Sequence, residues 1–298
     1  MRARVLLTGA AGLIGRQTVA PLKAAGFEVV AVSRAGPVAG AARTLRADLL
    51  DGEARRALLE EAGADHLLHL AWYGGPGRWN SARNADWGRA SLDLVAEFAA
   101  RGGRRALCVG SCAEYDWSAA DVLGEESPLA PKSAYARAKA ETGRALLAGR
   151  IAPGVETVWA RVFFCYGPGE PEGRLLGDLL AGLSQGREVP CTDGGQIRDF
   201  MHAADIGRAL ATVLAGDLEG AVNIASGQPV RVRNLIETTA RLMGRPELIR
   251  FGALSRPEGD APRVVADVAR LAATGFRPGF DLESGLRDVV RHFREAGR

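Results

Sequence analysis

Val5-Leu6-Leu7-Thr8-Gly9-Ala10-Ala11-Gly12-Leu13-Ile14-Gly15 is the stretch on which the fold turns. A short apolar strand runs into three glycines at three-residue spacing. A helix-forming run follows, then Phe27-Glu28-Val29-Val30-Ala31-Val32-Ser33-Arg34 as a second strand. Strand, glycine turn, helix and strand within about thirty residues make a βαβ unit with a dinucleotide fingerprint. The glycines divide the work: one permits the tight turn, one admits a pyrophosphate to the backbone, and one lets helix and strand approach. The pyrophosphate then meets the unsatisfied N–H groups of the helix start. Gly9, Ala11, Gly12, Leu13, Ile14 and Gly15 are therefore expected to bind a cofactor.

The end of the second strand bears on which cofactor. A site for NAD places a carboxylate there, to bind the adenosine ribose 2′-hydroxyl. This chain has Ser33 and Arg34 instead. A hydroxyl and a guanidinium suit a 2′-phosphate, which Arg grips through a charge-assisted fork. NADP(H) is the expected cofactor; an ordinary surface arginine is the plainer alternative. Asp48, with Leu49 after a short third strand, is placed to meet the adenine, or else to cap the helix expected over Gly52–Ala62.

With 298 residues the chain can bury a large core, and it divides into one big domain and a smaller lobe. Apolar residues make up 47% and charged residues 24%, as in ordinary globular enzymes. A net charge of +3, with no basic block, argues against nucleic acid. No run approaches the ~20 apolar residues of a membrane span, and the first apolar run is the βαβ strand itself rather than a leader. Cys108, Cys112, Cys165 and Cys191 form no metal-type pair and fit a reducing cytoplasm. His66 and His69 flank an apolar strand, which reads as structural, and no metal site is expected. Arg55-Arg56 and Arg104-Arg105 read as solvated faces.

Further on, Asp65–Ala71 and Ala106–Ser111 read as buried strands, and Arg89–Arg101 as an amphipathic helix. In Pro131-Lys132-Ser133-Ala134-Tyr135-Ala136-Arg137-Ala138-Lys139, helix formers put Tyr135 and Lys139 one turn apart on one face. An ammonium beside a phenol favours phenolate and should lower its pKa from about 10. A Tyr-x-x-x-Lys alone is a common chance match. After a glycine fingerprint, and one helix beyond a strand ending in Ser111, it is specific.

These features together resemble the extended short-chain dehydrogenase/reductase family, in its nucleotide-sugar epimerase/dehydratase group, across essentially the whole chain. The glycine turn is similar to its cofactor motif, Asp48-Leu49 to its adenine-side motif, and His69-Leu70-Ala71 to its cofactor-wall strand. Trp72 and Tyr73 follow at the cofactor and the substrate. Ser111, four residues before Tyr115, is similar to the strand end carrying the catalytic hydroxyl, and Tyr135 and Lys139 to the catalytic pair. The segments Trp159–Gly169, Gly194–Asp205, Ala221–Gly227 and Arg256–Asp260 resemble the motifs of its C-terminal half. The resemblance implies a doubly wound parallel sheet of Rossmann type over residues 1–165, rejoined around 197–225. A smaller substrate-binding lobe would occupy 166–196 and 226–298. It also implies a nucleotide-sugar substrate held by Ser111, Cys112, Tyr73 and Phe164, with Arg198 and Arg256 on the diphosphate. The oligomeric state is open, a homodimer being one option.

Three departures narrow the chemistry. Dehydratases of the group carry an Asp-Glu pair where this chain has Cys112-Ala113, which disfavours dehydration. An Asn of the group is replaced by Phe164, and the NAD-selecting Asp by Ser33. The reading is NADPH-dependent reduction of a keto group on a nucleotide-activated (6-deoxy)sugar, Tyr135 giving the proton and Ser111 bonding the same oxygen. The rivals are an NAD(P)-dependent 4-epimerase, a reductase of non-nucleotide carbonyls, and a non-catalytic NADP sensor. The last would not need Tyr135 and Lys139.

Overall fold

The computed structural model describes residues 3–297. Strands β1 (Arg4–Thr8), β2 (Glu28–Val32), β3 (Arg43–Leu45), β4 (His66–His69), β5 (Arg105–Ser111) and β6 (Glu156–Val162) enter one sheet. They alternate with helices α1 (Gly15–Ala24), α2 (Gly52–Ala62), α3 (Arg83–Ala99) and α4 (Ala134–Leu147). After β7 (Phe164–Tyr166), α5 (Leu175–Ser184), β8 (Val189–Pro190) and β9 (Ile197–His202), the chain returns through α6 (Ala203–Ala215) and β10 (Gly220–Ile224). It ends with β11 (Pro229–Arg231), α7 (Val232–Met243), β12 (Ile249–Arg250), β13 (Arg263–Val264), α8 (Ala269–Ala273) and α9 (Leu282–Glu295).

The large sheet has the order β10-β6-β5-β4-β1-β2-β3, and every pairing in it is parallel. Its strands are apolar on both faces because helices cover both. One core layer joins α1 and α6 to the sheet through Val19, Leu22, Ile206 and Leu210; the other joins α2, α3 and α4 through Leu58, Leu94, Phe98 and Leu146. Strand order reverses between β1 and β4. Beyond the carboxyl ends of strands at such a point, an open parallel sheet leaves a crevice for ligands. β9 belongs to a second, smaller sheet, between β11 and β13 and also beside β7. That sheet, with α5, α7 and α9, encloses a separate core around Leu179, Ile236 and Val289.

Most expected elements are present with shifted ends. α3 starts at Arg83, six residues before the expected Arg89. Its buried line runs Asn84, Gly88, Ser91, Val95, Phe98, so the first three inward positions carry no apolar side chain to reveal them. Asp48 does not cap α2: its carboxylate accepts from Leu50 N, and Asp51 accepts from Glu53 N and Ala54 N instead. The two arginine runs are not solvated faces throughout. Arg55 is buried, donating to both carboxylate oxygens of Glu97 (2.9 and 3.0 Å), and Arg105 is buried against Glu156 (2.7 Å) and the carbonyls of Val213 and Leu218. Arg56 and Arg104 are exposed, so only alternate members of each run face solvent. No described helix is long and apolar enough to cross a membrane.

Candidate active site

The glycine turn has the shape its sequence implies. Gly9 adopts φ +69°, and a Cβ there would lie 2.8 Å from Ala71 N, so both conformation and space require glycine. A Cβ on Gly15 would fall 2.2 Å from Gly9 O, which is how α1 presses onto the end of β1. No side chain caps α1, and no acidic residue lies in its first turn. Its positive end is left for an anion. These features fit a dinucleotide pyrophosphate over Gly12–Gly15, and Ala11 is exposed at the tip. Ser33 is buried, its Oγ accepting from Ala35 N (3.2 Å), and Arg34 beside it is exposed. Asp48 is exposed and Leu49 buried just past β3. All four lie at the carboxyl ends of β2 and β3, on the same sheet edge as the glycines.

A cleft of about 750 Å³ opens at that edge, between the glycine turn and the second sheet. Gly9, Gly12, Leu13, Ile14, Gly15, Leu70, Trp72, Tyr73, Ser111, Cys112, Tyr135, Lys139, Phe164 and Arg198 all line it. Arg256, next to the lining residue Pro257, forks onto Asp193 (2.6 Å to each oxygen) in a partly exposed ion pair.

Ser111 ends β5 and opens a tight 3-10 turn, Cys112–Glu114. Its Oγ accepts from Ala113 N (3.2 Å), and Glu114 Oε1 accepts from Ser111 N (2.7 Å), a reciprocal capping box. The hydroxyl hydrogen of Ser111 is therefore left to donate into the cleft. Glu114 is fully buried and also accepts from Trp159 Nε1 and Arg161 Nε (2.9 Å). Arg161 donates on to Tyr115 OH, which donates to Asn223 Oδ1 (2.7 Å). A carboxylate and guanidinium buried together persist only when bonded this fully. The network pins the β5 end to β6 and β10. Its sequence signal, Ser111-x-x-Glu114, is itself a capping-box pattern.

α4 begins at Ser133, whose Oγ accepts from Ala136 N (3.1 Å). It packs on β6 through Gly143, where a Cβ would lie 2.5 Å from the Trp159 ring. That closeness buries Lys139. Its ammonium donates to Val109 O (2.6 Å) and lies 3.6 Å from the Trp72 ring centroid. Burial lowers its pKa to about 7, opposed by the Glu114 and Cys108 charges. Tyr135 stands between Trp79 (centroids 5.2 Å apart) and Trp72 (6.4 Å), both edge-on. The expected acidification by Lys139 is not found: burial pushes the phenol up to about 12, with the Ser111 hydroxyl acting the other way. Desolvation outweighs the Arg174 charge, which acts in the lowering direction. The buried Cys112 thiol is likewise pushed well up by burial and by the Glu114 and Asp199 charges, so it stays protonated.

Towards the second sheet, Arg198 is buried between Trp117 and Phe164 (5.8 and 5.4 Å) and donates to Asp260 (2.5 Å). Gln196 donates to the same carboxylate (2.9 Å). Cleft residues that the sequence did not single out include Arg78, Trp79, Glu170 and Arg174. Burial pushes Glu170 up to about 7, and its buried Oε2 has no partner among the described residues. His69 is structural, as expected, between Thr8 (2.7 Å) and Ser91 (2.9 Å). No group of metal-ligating side chains occurs among the described residues.

Residues 5–225 match the NAD dependent epimerase/dehydratase family. The chain belongs to that family. Among relatives, a dTDP-4-dehydro-6-deoxy-D-allose reductase of a Streptomyces species is 28% identical over 97% of this chain and 96% of its own length. Among solved structures, MoeE5 in complex with UDP-glucose and NAD superposes with a TM-score of 0.85 at 30% identity, over 99% and 100% of the two chains. The UDP-glucose 4-epimerase of Thermus thermophilus with NAD gives 0.85 at 25% identity, over 98% and 99%. The family and these relatives make the chain one of the nucleotide-sugar-modifying, nicotinamide-dinucleotide enzymes of the extended short-chain dehydrogenase/reductase type.

Proposed function

We propose that this family member catalyses NADPH-dependent reduction of a keto group on a nucleotide-activated 6-deoxysugar. The observation that supports this reading is the buried Tyr135 phenol beside Ser111 at the end of β5, facing the cleft onto which the glycine turn opens, taken with the reductase relative. In a reduction the phenol, protonated at neutral pH, is the proton donor. NADPH, when bound, supplies the hydride. Tyr135 gives its proton to the developing alkoxide, and Ser111, whose Oγ is already acceptor to Ala113 N, donates its hydrogen to the same oxygen. Lys139, which donates to Val109 O at the edge of the cleft, would hold the cofactor's ribose hydroxyls. Ser33 and Arg34 would hold its 2′-phosphate. The protonated Cys112 forms an unreactive wall, in keeping with reduction without dehydration.

In this reading the large sheet with α1–α4 and α6 is the cofactor domain, and the second sheet with α5, α7 and α9 is the substrate lobe. The reductase relative supports the 4-keto-6-deoxysugar class. Given such a nucleotide-linked ketosugar, purified protein should oxidise NADPH stoichiometrically and release NADP+ each turnover. Protein carrying tightly held NAD+ and interconverting two nucleotide sugars without consuming NADPH would establish the 4-epimerase reading instead.

A further inference from the structure

Three tryptophans line the cleft, and two of them have committed N–H groups. Trp72 Nε1 donates to Asn84 Oδ1 (2.9 Å), and Trp117 Nε1 donates to Cys112 O (2.7 Å). The third, Trp79, has no such partner among the described residues, and its side chain is exposed. Its backbone is nonetheless held firmly. Tyr135 N, in the first turn of α4 where helix donors lack an internal partner, donates to Trp79 O (2.9 Å). The fully buried Asn84 donates to Arg78 O (2.7 Å) and to Ser81 O (2.8 Å), on either side of Trp79. A turn fixed at these carbonyls thus carries a large apolar ring out into the cleft. That ring meets Tyr135 edge-on, and the Arg78 guanidinium lies over one face at 5.1 Å.

An indole exposed beside a reduction centre offers an apolar face for C–H groups and a single N–H at its edge. Position narrows what meets it. In the reduction proposed above, Tyr135 faces the oxygen on C4 of the sugar, and the groups flanking C4 are the 3-hydroxyl and, on C5, C6. A hydroxyl pressed onto an indole face loses water without gaining a hydrogen bond, whereas a methyl loses nothing. Of the two flanking groups only C6 of a 6-deoxysugar is apolar. We propose that Trp79 packs against the C6 side of the sugar and selects a substrate whose 6-hydroxyl has been removed. This rests on the nucleotide-sugar reading and adds to it the residue that chooses the sugar. Trp79 is a specificity-determining residue, and the bond from Tyr135 N to its carbonyl keeps the selecting ring and the proton donor together.

The test is calorimetric titration with NADP+ present throughout, first with UDP, dTDP, GDP and CDP carrying no sugar. For the base that binds wild type, the glucose and 6-deoxyglucose conjugates are then compared. They differ only in the 6-hydroxyl, so base, diphosphate and ring stereochemistry cancel in their ratio. Wild type should bind the 6-deoxy conjugate ~10–100-fold more tightly, the scale on which an apolar pocket rejects an added hydroxyl. Trp79→Ala should bring that ratio to within ~3-fold of unity while binding the bare diphosphate as wild type does. Trp79→Phe, which keeps an apolar ring, should retain most of the preference. A ring that merely props the turn would, when removed, weaken both conjugates equally or abolish binding of the bare diphosphate. Either result overturns the proposal, as does a wild type with no preference between the conjugates. Failure of wild type to bind any of the four diphosphates would instead sink the nucleotide-sugar reading, and the role of Trp79 with it.

Discussion

Tyr135 is singled out by its spacing to Lys139 only together with the glycine turn and Ser111 before it, and its protonation state is not legible at all. The spacing to Lys139 promised an acidic phenol, whereas burial holds it near 12 and turns Lys139 towards Val109 O and Trp72. Desolvation is set by everything packed around a group, much of it distant in sequence, so a one-turn spacing cannot report it. Tyr135→Phe removes the only atom in this proposal that gives up a proton. Turnover should fall ~10²–10⁴-fold, the usual scale for a positioned acid, with NADPH binding nearly intact. Near-normal turnover in a stopped-flow NADPH assay would mean another donor. Arg34 is the matching case for the cofactor. It is exposed at the end of β2 beside the buried Ser33. NADPH should bind at least ~10-fold more tightly than NADH, about 1.4 kcal/mol, and Arg34→Ala should erase most of that. Equal affinities in wild type by fluorescence titration would remove NADP(H) as the preferred cofactor.

At the scale of elements, the βαβ start was legible because strand, glycine turn and helix are contiguous and each glycine has a local steric reason. The start of α3 was not, since Asn84, Gly88 and Ser91 fill its inward positions. Those residues serve neighbouring elements instead of an apolar core. Ser91 Oγ donates to Trp87 O (2.7 Å) and so accepts from His69 Nε2; His69 Nδ1 in turn accepts from the Thr8 hydroxyl, which takes Ala71 N (3.3 Å). Every partner is satisfied by one neutral tautomer, tying β1, β4 and α3 together. Protonation would set a donor against a donor, and burial lowers the His69 pKa to about 3. The unfolded chain, with an ordinary value near 6.5, takes up this proton first. The stabilisation is thus full above pH 6.5 and is lost as pH falls towards 3. His69→Gln, neutral throughout, should flatten urea midpoints in that window by one proton's slope, about 1.4 kcal/mol per pH unit. An unchanged slope would show that His69 is not held neutral.

Across the whole molecule, the second sheet was the least legible part. β7, β9, β11 and β13 come from four separated segments, are two to six residues long, and pair non-locally, so no run of sequence announces the sheet. The same assembly partly buries Glu170 and encloses its Oε2, in a stretch, Gly169-Glu170-Pro171-Glu172-Gly173, that has the composition of an exposed turn. Arg16 of α1 reaches across to donate to Pro168 O, and α5 closes the other side. Glu170 then has a pKa raised to about 7 from an ordinary 4.5. Its sign is opposite to that of His69: the folded chain keeps a proton that the unfolded chain releases. Its contribution is present below pH 4.5 and is lost as pH rises through 7. Between pH 4.5 and 6.5 the two groups involve one proton each with opposite slopes, and they offset one another. Removing Glu170 should therefore uncover the acid sensitivity that His69 confers. Thermal midpoints of Glu170→Gln, taken from pH 4 to 8, should climb relative to wild type between pH 4.5 and 7. Outside that window the two curves should run parallel, whatever their absolute separation. Curves parallel throughout would show that Glu170 ionises normally in the folded chain, and that the cleft wall between α1 and α5 is open to water.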